Sequence, residues 1–177
     1  MTAEQLRLVL PDSNWEEQIW AFRSAFLPAP EGIPGTSGLA QAESAAAWLE
    51  GLASMADFGR VPAGLVRGLQ FIFIDIDEKE ILGMLNLRTS LNDYLENFGG
   101  HIGYAIHPAV QNRGLGRKML TCGLEMAKAE GLQRVLITCD DRNKASAAVI
   151  EACGGRLEDK RINPEKKRIV RRYWILT

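Results

Sequence analysis

The sequence is poor in the side chains that most often bind metals or form covalent cross-links, because its 177 residues include three cysteines and two histidines. Cys122, Cys139 and Cys153 are odd in number and far apart, which predicts free thiols in a reducing compartment rather than a disulfide framework. Since only His101 and His107 are available and no Cys-x-x-Cys pair occurs, we expect no metal site.

Long apolar runs and a bias toward one charge are also missing. The longest apolar stretches, such as Val135-Leu136-Ile137, have the length of strands, so no transmembrane helix is expected. The first residues do not combine a basic region with an apolar core, so the sequence predicts a cytoplasmic protein without a signal peptide or a membrane partner. The formal net charge of −1 argues against nucleic acid as a partner.

The composition, with 46% apolar and 24% charged residues, is typical of a globular protein, and the length suits a single domain over residues 1–177. Hydrophobic periodicity predicts the order β-α-α-β-β-β-α-β-α-β-β. The predicted strands are residues 6–10, 71–76, 81–87, 101–107, 134–139, 156–162 and 168–176. The predicted helices are residues 14–26, 42–54, 116–130 and 144–153, and residues 90–100 stay unassigned.

A glycine-containing loop, Gln111-Asn112-Arg113-Gly114-Leu115-Gly116, connects a predicted strand to a predicted helix. Glycine permits backbone angles and a close approach that a Cβ would hinder. Backbone N–H groups of such a loop can turn toward an anion, and the start of the following helix adds unsatisfied N–H groups and a partial positive charge. The pattern therefore indicates a phosphate-binding loop, although a plain strand-to-helix turn would also contain glycine.

Two other phosphate-binding loops fit this segment less well. A dinucleotide-binding fingerprint requires a third small residue three positions after Gly116, where Met119 stands, and no second β-α-β unit accompanies it. A Walker loop requires Gly-Lys-Ser/Thr, which is absent here.

The segment resembles the acetyl-CoA signature of the GNAT acyltransferases, Gln/Arg-x-x-Gly-x-Gly/Ala, with Gln111, Gly114 and Gly116 at its defining positions. The preceding Ile106-His107-Pro108 resembles the usual strand end, and the segment from Asn143 to Gly154-Gly155 resembles the family's second cofactor segment. The resemblance implies a mixed α/β (α+β) fold of about seven strands flanked by helices, with a splayed parallel strand pair that holds acetyl-CoA. The residues implied in cofactor binding are Ile106, His107, Gln111, Asn112, Arg113, Gly114, Leu115, Gly116, Arg117, Asn143 and Ser146.

The resemblance also implies a reaction in which a primary amine of a small molecule or peptide attacks the thioester directly. Backbone N–H groups, that of Tyr104 or a neighbour, would polarise the thioester carbonyl. His101 is the first candidate for the base, because it begins the splayed strand and imidazole titrates in the useful range. Glu96 is the second candidate. Without a catalytic role, His101 would be a hydrogen-bonded histidine of a strand, and Glu96 would be a solvated acid of a loop.

One departure from the family concerns the proton donor to the departing thiolate. Many members carry a tyrosine seven residues after the capping asparagine, where this chain has Ile150. Tyr173, Tyr104 or water would have to replace it, and Cys139 as an acyl-carrying nucleophile is disfavoured because no histidine is near it in sequence. The missing tyrosine keeps a second function open, a catalytically weak acyl-CoA-binding sensor.

The acceptor and the oligomeric state are not determined by the sequence, which leaves a homodimer open. Four acidic residues near the expected acceptor side are compatible with a cationic amine and equally with solvated loops: Asp93, Glu96, Asp140 and Asp141.

Overall fold

The computed structural model describes residues 5–177, and this part of the chain contains seven strands and four α-helices. The strands are β1 (Leu6–Val9), β2 (Gly68–Asp75), β3 (Glu80–Arg88), β4 (Ile102–Ile106), β5 (Arg134–Asp140), β6 (Arg156–Asn163) and β7 (Arg168–Leu176). The helices are α1 (Glu16–Ser24), α2 (Ala45–Ala56), α3 (Leu115–Ala129) and α4 (Lys144–Ala152). No helix of residues 5–177 is long and apolar enough to span a bilayer.

All seven strands belong to one sheet of order β1-β2-β3-β4-β5-β7-β6. Neighbouring strands are antiparallel except β4 and β5, which are parallel. The predicted element order and the mixed sheet with one parallel pair are confirmed.

Apolar side chains cover both faces of the sheet. Because side chains alternate along a strand, Leu85 and Ile137 pack toward α3 and α4, whereas Ile72 and Met84 pack toward α1 and α2. All four side chains are fully buried. The two apolar layers hold the sheet between the helices. They thereby determine the positions of the strand ends, where a cleft opens.

Every element except β7 differs from its predicted bounds by one to three residues, and two features have a clear local cause. Helix α2 begins at Ala45 rather than at residue 42, because the Ser44 hydroxyl oxygen caps it by accepting the Ala47 N–H at 3.1 Å. The segment left unassigned contains a π-helical turn, Leu95–Gly99, which ends at Gly100 with φ 70°. Local capping chemistry and a positive φ, rather than hydrophobic periodicity, determine both features.

The parallel strands β4 and β5 are joined only where the start of β4 meets the middle of β5. The His101 N–H donates to the Leu136 carbonyl at 2.7 Å, and Ile102 stands opposite Ile137. Along the described residues no later pairing joins β4 to β5. The strands therefore separate toward their carboxyl ends and leave a gap in the middle of the sheet.

Candidate active site

A cleft of about 1090 Å³ occupies the gap between β4 and β5. It continues onto both faces of the sheet. On the face covered by α3 and α4, the α4 side, it is lined by residues 111, 112 and 114–117 and by the first turns of α4. On the face covered by α1 and α2, the α2 side, it is lined by residues 31–38, the π-helical turn and the β6–β7 turn. The gap thus connects two half-sites through the sheet.

The backbone of β4 presents a hydrogen-bond donor to this gap. The His107 N–H donates to the Leu82 carbonyl of β3 at 2.8 Å, and backbone groups of alternate residues point to opposite edges of an antiparallel strand. The N–H of Tyr104, an odd number of residues away, therefore points toward β5, in the part of the cleft where the strands have separated. An N–H in this position can polarise a carbonyl group bound between the strands.

The loop before α3 has the geometry of an anion site. Gly114 is the N-cap residue of α3 with φ 75°, and Asn112 also has a positive φ of 61°. The Gln111 side chain ties the loop to the strand end, since its Nε2 donates to the Ile106 carbonyl at 3.1 Å. A Cβ on Gly114 would meet no heavy atom within 4 Å. Open space therefore lies beside N–H groups of the first helical turn, which have no carbonyl partner within the helix.

Gly116 has a different role from Gly114, because its φ is not positive and its Cα faces α4. A Cβ at this position would lie 3.3 Å from Cγ2 of Val149, which brings the two helices close together beside the cleft. Of the two predicted arginines, Arg117 lines the cleft, whereas Arg113 is exposed and does not.

The start of α4 brings three polar side chains together. The Asn143 Oδ1 caps the helix by accepting the Ser146 N–H at 3.0 Å, which confirms the predicted capping role. The hydroxyl groups of Tyr104 and Ser146 are 3.0 Å apart in the cleft. Burial raises the pKa of Tyr104 to about 12, against the smaller effect of the Ser146 hydrogen bond. The Tyr104 hydroxyl therefore keeps its proton at neutral pH.

Cys139 also lines the cleft, and its thiol is buried. Burial raises the pKa of this thiol to about 11. Because the thiolate is the nucleophilic form, this environment does not favour a covalent role for Cys139.

The sequence model of the acetyltransferase (GNAT) domain family matches residues 16–156. The chain belongs to the GNAT acetyltransferase family. This GNAT chain is therefore an acyltransferase, as the loop at Gln111 predicted. No curated protein sequence matches it significantly.

Solved acetyltransferase structures share the fold of this GNAT chain. The ribosomal-protein-S5-alanine acetyltransferase from Vibrio fischeri is 20% identical, with a TM-score of 0.73 over 99% of this chain and 95% of that one. The microcin C7 self immunity acetyltransferase MccE, in complex with acetyl-CoA and AMP, is 17% identical, with a TM-score of 0.69 over 98% and 93%. A spermidine N-acetyltransferase chimera containing Vibrio cholerae sequence is 17% identical, with a TM-score of 0.64 over 97% and 96%.

His101, the first candidate for the base in this GNAT chain, lies outside the residues that line the cleft. Its ring is buried, and Nδ1 accepts the Leu136 N–H at 2.9 Å. Burial, assisted by the positive charges of Arg88 and Arg134, lowers the pKa of His101 to about 4. The neutral ring then carries its proton on Nε2, while the lone pair of Nδ1 already accepts the Leu136 N–H. No lone pair of the ring is therefore free to accept a proton. This geometry does not support the general-base prediction.

Glu96 and His107 also lie outside the cleft lining. The Glu96 side chain is exposed on the π-helical turn, and its carbonyl accepts a hydrogen bond from Arg172 Nε at 3.0 Å. The His107 Nδ1 accepts the Ala109 N–H at 3.3 Å and so caps the short turn Pro108–Val110. Glu96 and His107 therefore take part in hydrogen bonds of the backbone around the cleft, and neither side chain forms the cleft surface.

The acidic residues considered for a cationic acceptor are mostly engaged elsewhere. Asp141 forms ion pairs with Lys160 at 2.9 Å and Arg171 at 2.6 Å, and the hydrogen bonds from these two residues lower its pKa to about 2. Asp93 is exposed and lies outside the cleft lining. Only Asp140 of the four lines the cleft, and it pairs with Arg142 at 3.3 Å.

Sequence reasoning missed Arg88 and the ion pair between Glu31 and Arg168, all of which line the α2 side of the cleft. The ion pair joins residues separated by 137 positions, so no local sequence pattern predicts it. Arg88 did leave a signal, since it ends a mostly apolar strand at a position that alternation assigns to a covered face.

Proposed function

We propose that this GNAT chain transfers the acetyl group of acetyl-CoA to a primary amine of a small molecule or peptide by direct attack. The single observation that carries the proposal is the cleft itself. The cleft connects the N-terminus of α3, where Gly114 has φ 75°, with a backbone N–H of β4 in the gap between the separated strands. Anion binding and carbonyl polarisation are the two functions that an acetyl-CoA-dependent transfer requires.

The residues of the α4 side fit acetyl-CoA. The N–H groups of residues 114–117 and the Arg117 side chain would hold the pyrophosphate, since they combine free donors with positive charge. The Asn143 side chain keeps its amide N–H₂ available after its oxygen has capped α4, so it can bind the pantetheine arm. Ile106, Leu115 and Ser146 would complete this part of the site. Bound there, acetyl-CoA supplies the thioester.

The amine would enter from the α2 side and form a bond to the thioester carbon while the C–S bond breaks. The Tyr104 N–H would stabilise the negative charge that develops on the carbonyl oxygen. The paired Tyr104 and Ser146 hydroxyls, 3.0 Å apart, would deliver a proton to the departing sulfur. This arrangement replaces the tyrosine missing at Ile150, whose side chain is fully buried.

The proton of the attacking amine would leave through water rather than through a dedicated base. The carboxylates that line the cleft, Glu31 and Asp140, are each paired with an arginine. Catalysis would then depend mainly on positioning the neutral amine against the thioester.

A catalytically weak acyl-CoA-binding sensor is the alternative function, favoured by the absence of a tyrosine at position 150. Thiol release from acetyl-CoA, measured with a panel of amines, distinguishes the two functions. We expect turnover with at least one amine and an N-acetylated product by mass spectrometry. Binding of acetyl-CoA without turnover on any amine would favour the sensor. The cytoplasmic location and a homodimer stay predictions.

A further inference from the structure

Arg88, the last residue of β3, is a partly buried cation on the α2 side of the cleft. Its Nη1 donates to the carbonyls of Gly99 at 3.3 Å and Gly100 at 3.1 Å. Within residues 5–177 it forms no ion pair with a carboxylate. The guanidinium is therefore held in place by backbone oxygens while its charge lacks a partner of opposite sign.

A guanidinium group in this state has unused binding capacity. Arginine carries five N–H donors and stays protonated at every accessible pH. Only Nη1 has hydrogen-bond acceptors among the described residues. A buried charge without a counter-charge is costly, and burial accordingly lowers the pKa of Arg88. An anionic ligand group would use the remaining donors and remove part of this cost.

The position of Arg88 places such an anion close to the reaction. A Cβ built on Gly103 of β4 would lie 3.7 Å from Nη1 of Arg88. Gly103 directly precedes Tyr104, whose N–H faces the proposed thioester position. An acceptor whose anionic group bound Arg88 would therefore carry its amine only a few bonds away from that group.

The other charges on the α2 side do not cancel Arg88. Glu31 is paired with Arg168, and Asp140 is paired with Arg142. Lys166 lines the same side, is exposed, and forms no carboxylate ion pair within the described part of the chain. The π-helical segment adds the apolar side chains of Leu95 and Phe98 to this lining, beside Tyr94, which acts electrostatically on Arg88. The half-site thus combines an excess of positive charge with an apolar wall.

We infer that the acceptor is a free amino acid with an apolar side chain, whose α-carboxylate binds Arg88 while its amine attacks the thioester. This inference rests on the proposed function and specifies its substrate class. Arg88 acts as a specificity-determining residue. The acidic residues that suggested a cationic acceptor in the sequence are neutralised by arginines and lysines or lie outside the cleft.

The test compares amino acids with their amides as acceptors, using L-phenylalanine against L-phenylalaninamide and L-leucine against L-leucinamide, with thiol release as the readout. We expect the free acids to have the higher kcat/KM, although their amines are more basic and hence less often neutral. Arg88→Gln should raise KM for the acids about tenfold or more, with little change for the amides or for acetyl-CoA. Arg7→Gln, at an exposed position of β1 outside the cleft, is the control and should change each value by less than about threefold.

Three outcomes would contradict the inference, and only the third would also contradict the proposed function. Equal or faster acetylation of the amides by the native protein would overturn the carboxylate inference without any variant. An equal loss on acids and amides in Arg88→Gln would show that Arg88 only supports the Gly99–Gly100 backbone, which also overturns it. Binding of acetyl-CoA without turnover on any amine would overturn the proposed function itself and, with it, this inference.

Discussion

His101 links the two parallel strands, because its ring Nδ1 accepts the Leu136 N–H at 2.9 Å while its backbone N–H donates to the Leu136 carbonyl at 2.7 Å. Asparagine can place an oxygen near the position of Nδ1, whereas alanine cannot. If His101 only holds the strands together, His101→Asn and His101→Ala should differ in stability but have similar turnover.

We therefore expect His101→Asn to keep turnover within about threefold of the native value, because general-base catalysis would be worth about 10²–10⁴-fold. His101→Ala should lower the free energy of unfolding by more than His101→Asn does, since it leaves a buried N–H without a partner. Both values follow from thiol release and denaturant unfolding of the same preparations. A loss of turnover of about tenfold or more in a folded His101→Asn protein would restore the histidine as a base.

The same residue predicts a pH dependence of stability. Its pKa is about 4 in the folded chain and about 6.5 when unfolded. Since the folded pKa is the lower one, the contribution is complete above pH 6.5 and is lost as the pH falls toward 4. Between pH 7 and pH 5 the native protein should lose about 2 kcal/mol more unfolding free energy than His101→Asn. Equal losses in the two proteins would contradict the burial of a neutral imidazole.

Tyr104 and Tyr173 form a matched pair for the proton donor. Both tyrosines were candidates from the sequence, but only Tyr104 lines the cleft, whereas the Tyr173 hydroxyl donates to Glu151 at 2.9 Å outside it. Tyr104→Phe should lower kcat about tenfold or more while acetyl-CoA affinity stays the same. Tyr173→Phe should leave kcat nearly unchanged. The opposite ranking would assign the proton donor to Tyr173.

At the level of elements, the start of α4 contributes a helix cap, and we propose that it also binds the cofactor. The side chains of Asn143 and Ser44 cap α4 and α2, respectively, by accepting an N–H of the first turn. Asn143→Ala and Ser44→Ala should each cost about 1 kcal/mol of unfolding free energy. Only Asn143→Ala should also weaken acetyl-CoA binding, because Ser44 caps the other helix and is not among the cleft-lining residues. Unchanged affinity in Asn143→Ala would leave it with the capping role alone.

At the level of the whole molecule, local sequence signals predicted the fold and the α4 side of the cleft. The strand alternation around Leu85 and the loop from Gln111 to Gly116 are contiguous in sequence, and each carries its own physical signature. The Asn143 cap is equally local, so its hydrogen bond could be predicted and was confirmed.

The α2 side could not be predicted in the same way. His101 is buried because Leu136 and Trp174 meet it from other strands, and Glu31 reaches Arg168 only after the sheet has formed. Such pairings depend on tertiary packing and leave no periodic pattern. The base was therefore assigned from residue type and from the position of His101 at the start of a strand, and neither of these reports the contacts that bury its ring.

The central claim is that the cleft beside Gly114 binds acetyl-CoA, and calorimetric titration of acetyl-CoA tests it most directly. Gly114 and Gly131 lie at opposite ends of α3 with φ values of 75° and 84°, and a Cβ at either would meet no atom within 4 Å. Valine at either position incurs a similar backbone strain of about 1–2 kcal/mol, but only at Gly114 would its side chain occupy the anion site. We predict measurable binding to the native protein and to Gly131→Val, and no detectable binding to Gly114→Val. Native affinity in Gly114→Val, or no heat of binding with the native protein, would contradict the account.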